Sequence, residues 1–513
     1  MSLKSPLRQG VWKLADDVGS SVSQACRSAF QILARNNRRR KIVDNVLTNP
    51  STKRKTRHRL QYRLQSLGRG AGMTLRRAFH RAGFSLCLSM SALTASAQDN
   101  AVPALASPAE LGFDAARLAE LDRTLQGYVD RGELPGASVL VARHGRIVHL
   151  AAFGQRDIDT AAPMADDTII RVYSMAKPVT AAAVMAAYEK GGFSLSDPVA
   201  RYVPELADVR VYADGEGDAI ETVPAQQQMT IENLLTHTAG FTMSFQIGTP
   251  VAKLYQQAGL QSATWFLDGS IPDLGAFAER ISSVPLAYQP DERWHYGLGF
   301  DIAALVVERT RGQGFDAFLQ ERILGPLKMG DTGFHVPEGS LDRFASLYAR
   351  NADGGLVAVE TPQRSAFLKP PAVATGSGAL VSTILDYYRF AQMLCNGGEL
   401  DGVRVLRPGS VDLMLSNHLR EDQFGQLAEA TPFGFGGTGT GVGFGYGGAV
   451  VLDDEHGGEG TYMWGGAGST TFFVDRRNGI VAVLMTQLMP SGTYPLGDVL
   501  KTAVYEALVD PAH

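Results

Sequence analysis

Ser174 and Lys177 stand three residues apart in Ser174-Met175-Ala176-Lys177, at the head of an alanine-rich apolar run. A serine hydroxyl is a weak nucleophile until a neighbour accepts its proton. On a helix, positions i and i+3 share a face, so the lysine amine reaches the serine hydroxyl. An amine serves as proton acceptor only where burial or neighbouring charge lowers its pKa. A helix start also offers free N–H groups and the positive end of the dipole, both suited to a developing oxyanion. Pro178 fits the first helical turn, where its missing N–H costs little. The chemistry in view is acyl transfer through a serine. The spacing alone equally fits an N-capping serine beside a solvated lysine, so the surroundings must decide.

The elements that position this pair follow from periodicity. Asp114 to Asp130 carries Leu118, Leu121, Leu125 and Tyr128 at helical spacing and ends at Gly132. Ala137–Arg143 and Ile147–Phe153 flank His144-Gly145-Arg146 as a hairpin. Val179–Glu189 reads as a helix closed by Gly191-Gly192. Helices are expected at Ile231–Leu235, Leu274–Ile281 and Phe300–Thr310, and a further one at Ile384–Leu394. Strands return at Gly443–Leu452, Gly460–Trp464, Thr470–Asp475 and Gly479–Gln487, and Leu496–Leu508 is a last helix. Hairpins impose antiparallel pairing. The expected fold is therefore α+β: one antiparallel sheet built from both chain ends and flanked by helices. The last three or four of its strands come from the end of the chain. A mainly helical region over about 195–345 is inserted between the two sets.

The 513 residues are 45% hydrophobic and 19% charged, an ordinary composition for a chain with a large core. Charge is unevenly spread. Residues 1–97 hold 19 Lys and Arg against three acids, while the remainder holds 29 basic and 49 acidic residues. An acidic body argues against a nucleic-acid partner. No zinc-ligand spacing, HExxH or GxxxxGK loop occurs, so neither a metal nor another cofactor is implied.

From Met73 the chain reads as a secretory signal peptide. Arg76, Arg77 and Arg81 form a basic region, Phe84–Thr94 is apolar, and Ala95-Ser96-Ala97 is a small-x-small cleavage signal. That apolar run is too short to span a bilayer core of roughly 30 Å. Residues 73–97 are thus expected to be removed, leaving 98–513 in the periplasm or outside the cell. Residues 1–72 read as an over-extended reading frame or a disordered basic extension. A lesser reading is nucleic-acid contact through Arg38-Arg39-Arg40-Lys41 and Lys53-Arg54-Lys55. Beyond residue 97 only Cys395 remains, so the exported chain has no internal disulfide.

The tetrad at a strand-to-helix junction resembles the first motif of the serine β-lactamase and penicillin-binding-protein superfamily. Leu234-Leu235-Thr236-His237-Thr238-Ala239-Gly240, Gly376-Ser377-Gly378-Ala379-Leu380-Val381-Ser382 and Asp386-Tyr387 are similar to segments of its class C-like branch. The resemblance spans about residues 108–510. Where the family carries Tyr-x-Asn, this chain has Tyr296-Gly297-Leu298. The resemblance implies that Tyr296 shares the serine's proton with Lys177 as a coupled pair. Where the family carries Lys-Thr-Gly, this chain has Trp464-Gly465-Gly466. The missing lysine removes a partner for a substrate carboxylate, and Trp464 offers an apolar wall instead. By the same resemblance the N–H groups of Ala467 and Ser174 are oxyanion donors.

These departures are similar to the family VIII carboxylesterases and imply cleavage of short-chain, neutral esters. Alternatives on the same residues are a β-lactamase, a D-stereospecific peptidase or amidase, and an acyltransferase. A catalytically silent binding module is a further one. An α/β-hydrolase is set aside because no Gly-x-Ser-x-Gly occurs. His237, His295 and His456 lack evident partner carboxylates and read as structural. The substrate itself and the oligomeric state are not readable from the residues.

Overall fold

A computed structural model describes residues 104–246, 249–260, 269–423, 427, 441–452 and 458–509. Residues 1–72, the stretch 73–97 expected to be a signal peptide, and His456 lie outside the described residues.

Eight antiparallel strands make the central sheet. They are β1 (Gly136–Arg143), β2 (Arg146–Asp157), β3 (Ala162–Pro163), β4 (Val442–Phe444), β5 (Ala449–Val451), β6 (Tyr462–Gly466), β7 (Thr470–Asp475) and β8 (Ile480–Thr486). Their order across the sheet is β4-β5-β6-β7-β8-β1-β2-β3. The first strand therefore pairs with the last, with Val139 opposite Leu484 and Val141 opposite Ala482. β1 and β8 are buried along their whole lengths, which is why both read as unbroken apolar runs.

Side chains alternate between sheet faces, so neighbouring residues report what covers each side. Phe473 stacks on Tyr505, with ring centroids 5.8 Å apart. Phe472 meets Tyr387 edge-on at 5.0 Å. One face thus carries the terminal helix α5 (Leu496–Ala507), against which α1 (Ala115–Asp130) also packs. The other carries α4 (Ile384–Cys395). Asp114 caps α1 by accepting the N–H groups of Ala116 and Arg117.

In α2 (Ala176–Glu189) twelve of the fourteen residues are buried. A helix buried on every side is a central strut rather than a surface element, and small alanine side chains let neighbours approach it closely. Among those neighbours is α3 (Gly299–Arg311), whose run from Gly299 to Val307 is entirely buried.

The α+β reading holds, with differences in detail. Five strands, not three or four, return at the chain end. The expected strand over 443–452 is a hairpin, because Gly445-Tyr446-Gly447-Gly448 turns the chain between β4 and β5 with Gly447 at φ 83°. The middle region also contains strands. Arg210–Asp214 pairs with Glu221–Pro224, and Leu347–Arg350 lies between Leu356–Glu360 and Leu488–Met489. Pro250–Gln257, Phe315–Leu319 and Pro408–Leu415 are helices that periodicity did not mark. Each is only five to eight residues long, too few turns to display a 3.6-residue repeat.

Candidate active site

The chain reaches Ser174 through a short strand, Ile170–Arg171, paired with Val381–Ser382. Tyr173 follows at φ 44°, a left-handed conformation that is costly for a bulky residue. This kink throws the chain into a single 3-10 turn, Tyr173–Met175, that runs directly into α2. Tyr387 of α4 holds the turn by donating its hydroxyl to the Met175 carbonyl at 2.8 Å. Burial pushes the Tyr173 phenol up to about 12, so it stays neutral near pH 7.

Lys177 lies in the first turn of α2 and is 1% exposed. Its Nζ donates to Ser174 Oγ at 3.2 Å and to the Ser377 carbonyl at 2.7 Å. Tyr296 arrives from the segment before α3. Its hydroxyl and Ser174 Oγ share a hydrogen bond of 2.6 Å, which either oxygen can donate. Lys177 Nζ also sits 4.7 Å from the centre of the Tyr296 ring. Serine, lysine and tyrosine, up to 122 residues apart in sequence, thus meet at one hydroxyl oxygen.

His237 fixes Tyr296 in place. The His295 N–H donates to the His237 carbonyl at 2.8 Å, and the Gly297 N–H donates to His237 Nδ1 at 3.3 Å. The two residues flanking Tyr296 are therefore tied to one histidine, whose ring lies 4.6 Å from the tyrosine ring. Burial, reinforced by the Lys177 charge, holds the His237 imidazole well below its usual range and hence neutral. His295 has Thr242 Oγ1 at 2.9 Å, and burial lowers it to about 4.

Trp464 is 1% exposed, its ring 6.1 Å from Tyr296 and 5.2 Å from Phe444. Leu298 is equally buried at the N-cap of α3. Trp464-Gly465-Gly466 forms the end of β6, with Gly465 opposite Thr471 and Gly466 opposite Thr470. A Cβ on Gly466 would lie 2.2 Å from the Val172 carbonyl oxygen, so only glycine lets this strand end press against the turn that carries Ser174. Along Tyr173–Ala176 and Trp464–Gly468 every residue is buried except Ser174 and Ala467, which are partly exposed.

Two participants escaped sequence reasoning. Ser377 supplies the carbonyl that holds Lys177, from a segment noted only for its family likeness. Asp301, fully buried in α3, accepts Ser377 N–H on Oδ1 at 3.0 Å and the Ser377 hydroxyl on Oδ2. The available signal was a single acid inside the apolar run Phe300-Asp301-Ile302-Ala303-Ala304. Among the described residues, no group of three or more His, Cys, Asp or Glu side chains is arranged to hold a metal ion.

Residues 121–505 match the family model described as Beta-lactamase. The Esterase EstB of Burkholderia gladioli is 32% identical over 414 residues, covering 78% of this chain and 98% of EstB. Protein Rv1367c of Mycobacterium tuberculosis is 34% identical over 374 residues, covering 72% of this chain and 89% of the relative. Among solved structures, simvastatin synthase from Aspergillus terreus superposes with a TM-score of 0.65 at 24% identity. It covers 76% of this chain and 98% of the synthase. With that fold, that coverage and a serine at the head of α2, the chain belongs to the β-lactamase and penicillin-binding-protein superfamily.

Proposed function

We propose that this chain hydrolyses short-chain, neutral carboxylic esters through an acyl-enzyme on Ser174. The observation that carries the reading is the convergence on one oxygen: Tyr296 Oη at 2.6 Å and Lys177 Nζ at 3.2 Å from Ser174 Oγ. Ser174 Oγ attacks the ester carbonyl, and its proton passes to the Lys177/Tyr296 pair. The N–H groups of Ser174 and Ala467 face the developing oxyanion. On collapse, the C–O bond to the alcohol breaks and the alcohol leaves with the proton held by the pair. Water then repeats the sequence: the pair takes its proton, the acyl–Ser174 bond breaks, and the proton returns to Ser174.

The choice of ester over β-lactam rests on the two buried apolar residues. Trp464 and Leu298, both buried, take the motif positions where the family resemblance puts the lysine and the asparagine that would serve an anionic or amide substrate. The name of EstB agrees with this choice. An alcohol in place of water at the second step would make the same machinery an acyltransferase. Export to the periplasm or beyond forms part of the same proposal. Its test is N-terminal sequencing of the exported protein, with a mature start upstream of Met73 counting against it.

The test of function is a substrate panel on purified protein: p-nitrophenyl acetate and butyrate, nitrocefin, and D-Ala p-nitroanilide. Ester turnover is expected to dominate and to vanish in Ser174→Ala. Nitrocefin turnover above ester turnover overturns the substrate reading, and ester turnover surviving Ser174→Ala overturns the mechanism.

A further inference from the structure

Lys177 is a buried amine whose two hydrogen-bond acceptors, the Ser174 hydroxyl and the Ser377 carbonyl, are neutral. The groups facing it are the Tyr296 ring, the neutral imidazole of His237, and Asp301 across Ser377. Asp301 is fully buried, and its carboxylate is engaged by both the N–H and the hydroxyl of Ser377. The peptide group joining Gly376 to Ser377 is gripped at both ends. Thr180, one turn along α2 from Lys177, donates to the Gly376 carbonyl at 2.8 Å, and Asp301 accepts the Ser377 N–H. The next carbonyl along, that of Ser377, is thereby aimed at Lys177 Nζ.

We propose that Asp301 is a positioning residue that, through Ser377, both aims the carbonyl holding Lys177 and supplies the countercharge that keeps the Lys177/Tyr296 pair basic enough to take the Ser174 proton. The proposal rests on the serine-nucleophile reading but not on which ester is cleaved. Burial raises the Asp301 carboxyl to about 6, with the Ser377 hydrogen bonds and the Lys177 charge pulling the other way, so it is ionised at neutral pH. A carboxylate in direct contact would lock Lys177 as an ion pair. Placed one residue away, it stabilises a proton on the pair while leaving the amine bonded to the serine.

The test uses the full chain and the rate at which a fluorophosphonate labels Ser174, followed from pH 5 to pH 10. Asp301→Asn keeps the shape and removes the charge. The ascending limb of labelling is expected to move about one unit to lower pH, with the plateau falling roughly threefold because a weaker base transfers the proton less well. A merely structural role lowers the whole curve and leaves the limb in place; that result overturns the proposal. Ser377→Ala keeps every charge and the carbonyl but removes one hydrogen bond to the carboxylate. It is expected to move the limb in the same direction by less, and it decides the matter should Asp301→Asn not fold. A chain that labels with the shifted limb but leaves p-nitrophenyl esters intact loses the ester reading and keeps this one. Ester turnover with an unmoved limb does the reverse.

Discussion

Two buried cations flank Ser174 at equal distance in sequence, and they are held in opposite ways. Arg171, three residues before it, is 0% exposed and paired directly with Glu360 at 2.8 Å. It also donates to the Ala345 carbonyl at 2.7 Å and to Gln487 at 3.2 Å, and its guanidinium lies 4.0 Å from the centre of the Phe344 ring. Lys177, three residues after, touches only neutral acceptors, with its carboxylate one residue removed. The first arrangement fixes a permanent charge and braces the strand leading to the nucleophile. On the proposed mechanism, the second lets a proton pass between the amine and the Ser174 hydroxyl. Both cations are buried; what separates them is the charge of the nearest acceptor, a carboxylate for Arg171 and a neutral oxygen for Lys177.

Replacing both cations by methionine is the direct way to break this contrast. Lys177→Met is expected to cut p-nitrophenyl butyrate turnover by about 10²–10⁴-fold. Its melting temperature should fall less than that of Arg171→Met, since no carboxylate is in direct contact with the amine. Arg171→Met takes the guanidinium charge from Glu360 and the side-chain donor from the Ala345 carbonyl, and should cost about 3 kcal/mol in urea unfolding. If Lys177→Met proves the less stable of the two, the contrast fails. A milder probe is Glu360→Gln, which keeps an acceptor but not the charge. Glu360 is 22% exposed, so water softens the loss to about 1 kcal/mol, with turnover per folded molecule preserved.

A further expected effect is pH-linked and of similar size to that of Glu360→Gln. The Asp301 carboxyl sits at about 6 in the fold against an ordinary 3.8. As pH falls through 6 the folded chain takes up a proton that the unfolded chain does not yet bind, so this group adds stability on the acid side. His237 and His295, held neutral in the fold, oppose it in the same window by charging first in the unfolded chain. Their opposition is common to wild type and Asp301→Asn and cancels between them. The stability difference should therefore grow in favour of the wild type between pH 7.5 and pH 5. A constant difference would show that Asp301 does not titrate in that range.

What could be read from the residues follows from how each signal is encoded. Long amphipathic and apolar stretches mark themselves: α1, α3, α4 and the strands around the Asn478-Gly479 turn match their expected limits within one or two residues. Ser174 and Lys177 were visible because both sit in one turn. Tyr296, Trp464 and the neighbouring glycines needed family likeness, since nothing local ties residue 296 to residue 174. Asp301 and Ser377 were missed because their role exists only across space. Lys177 and Ser377 are 200 residues apart, and a carboxylate within an apolar helix face has no pattern naming its partner. The hairpin over 442–451 was missed for a different reason: its strands are three residues each, too short for alternation to show.

The pairing of the first sheet strand with the last has a consequence in the order of synthesis. Thr486 donates its hydroxyl to the Gly136 carbonyl across 350 residues of chain. At ordinary elongation rates that separation is on the order of 20–70 s on the ribosome. Until it has elapsed, β1 lacks one neighbour, and the turn bearing Ser174 lacks the glycine strand end that packs against Val172. A nascent chain therefore carries its serine without an assembled pocket, and a fluorophosphonate added to stalled ribosomes should label only chains extending well past residue 486.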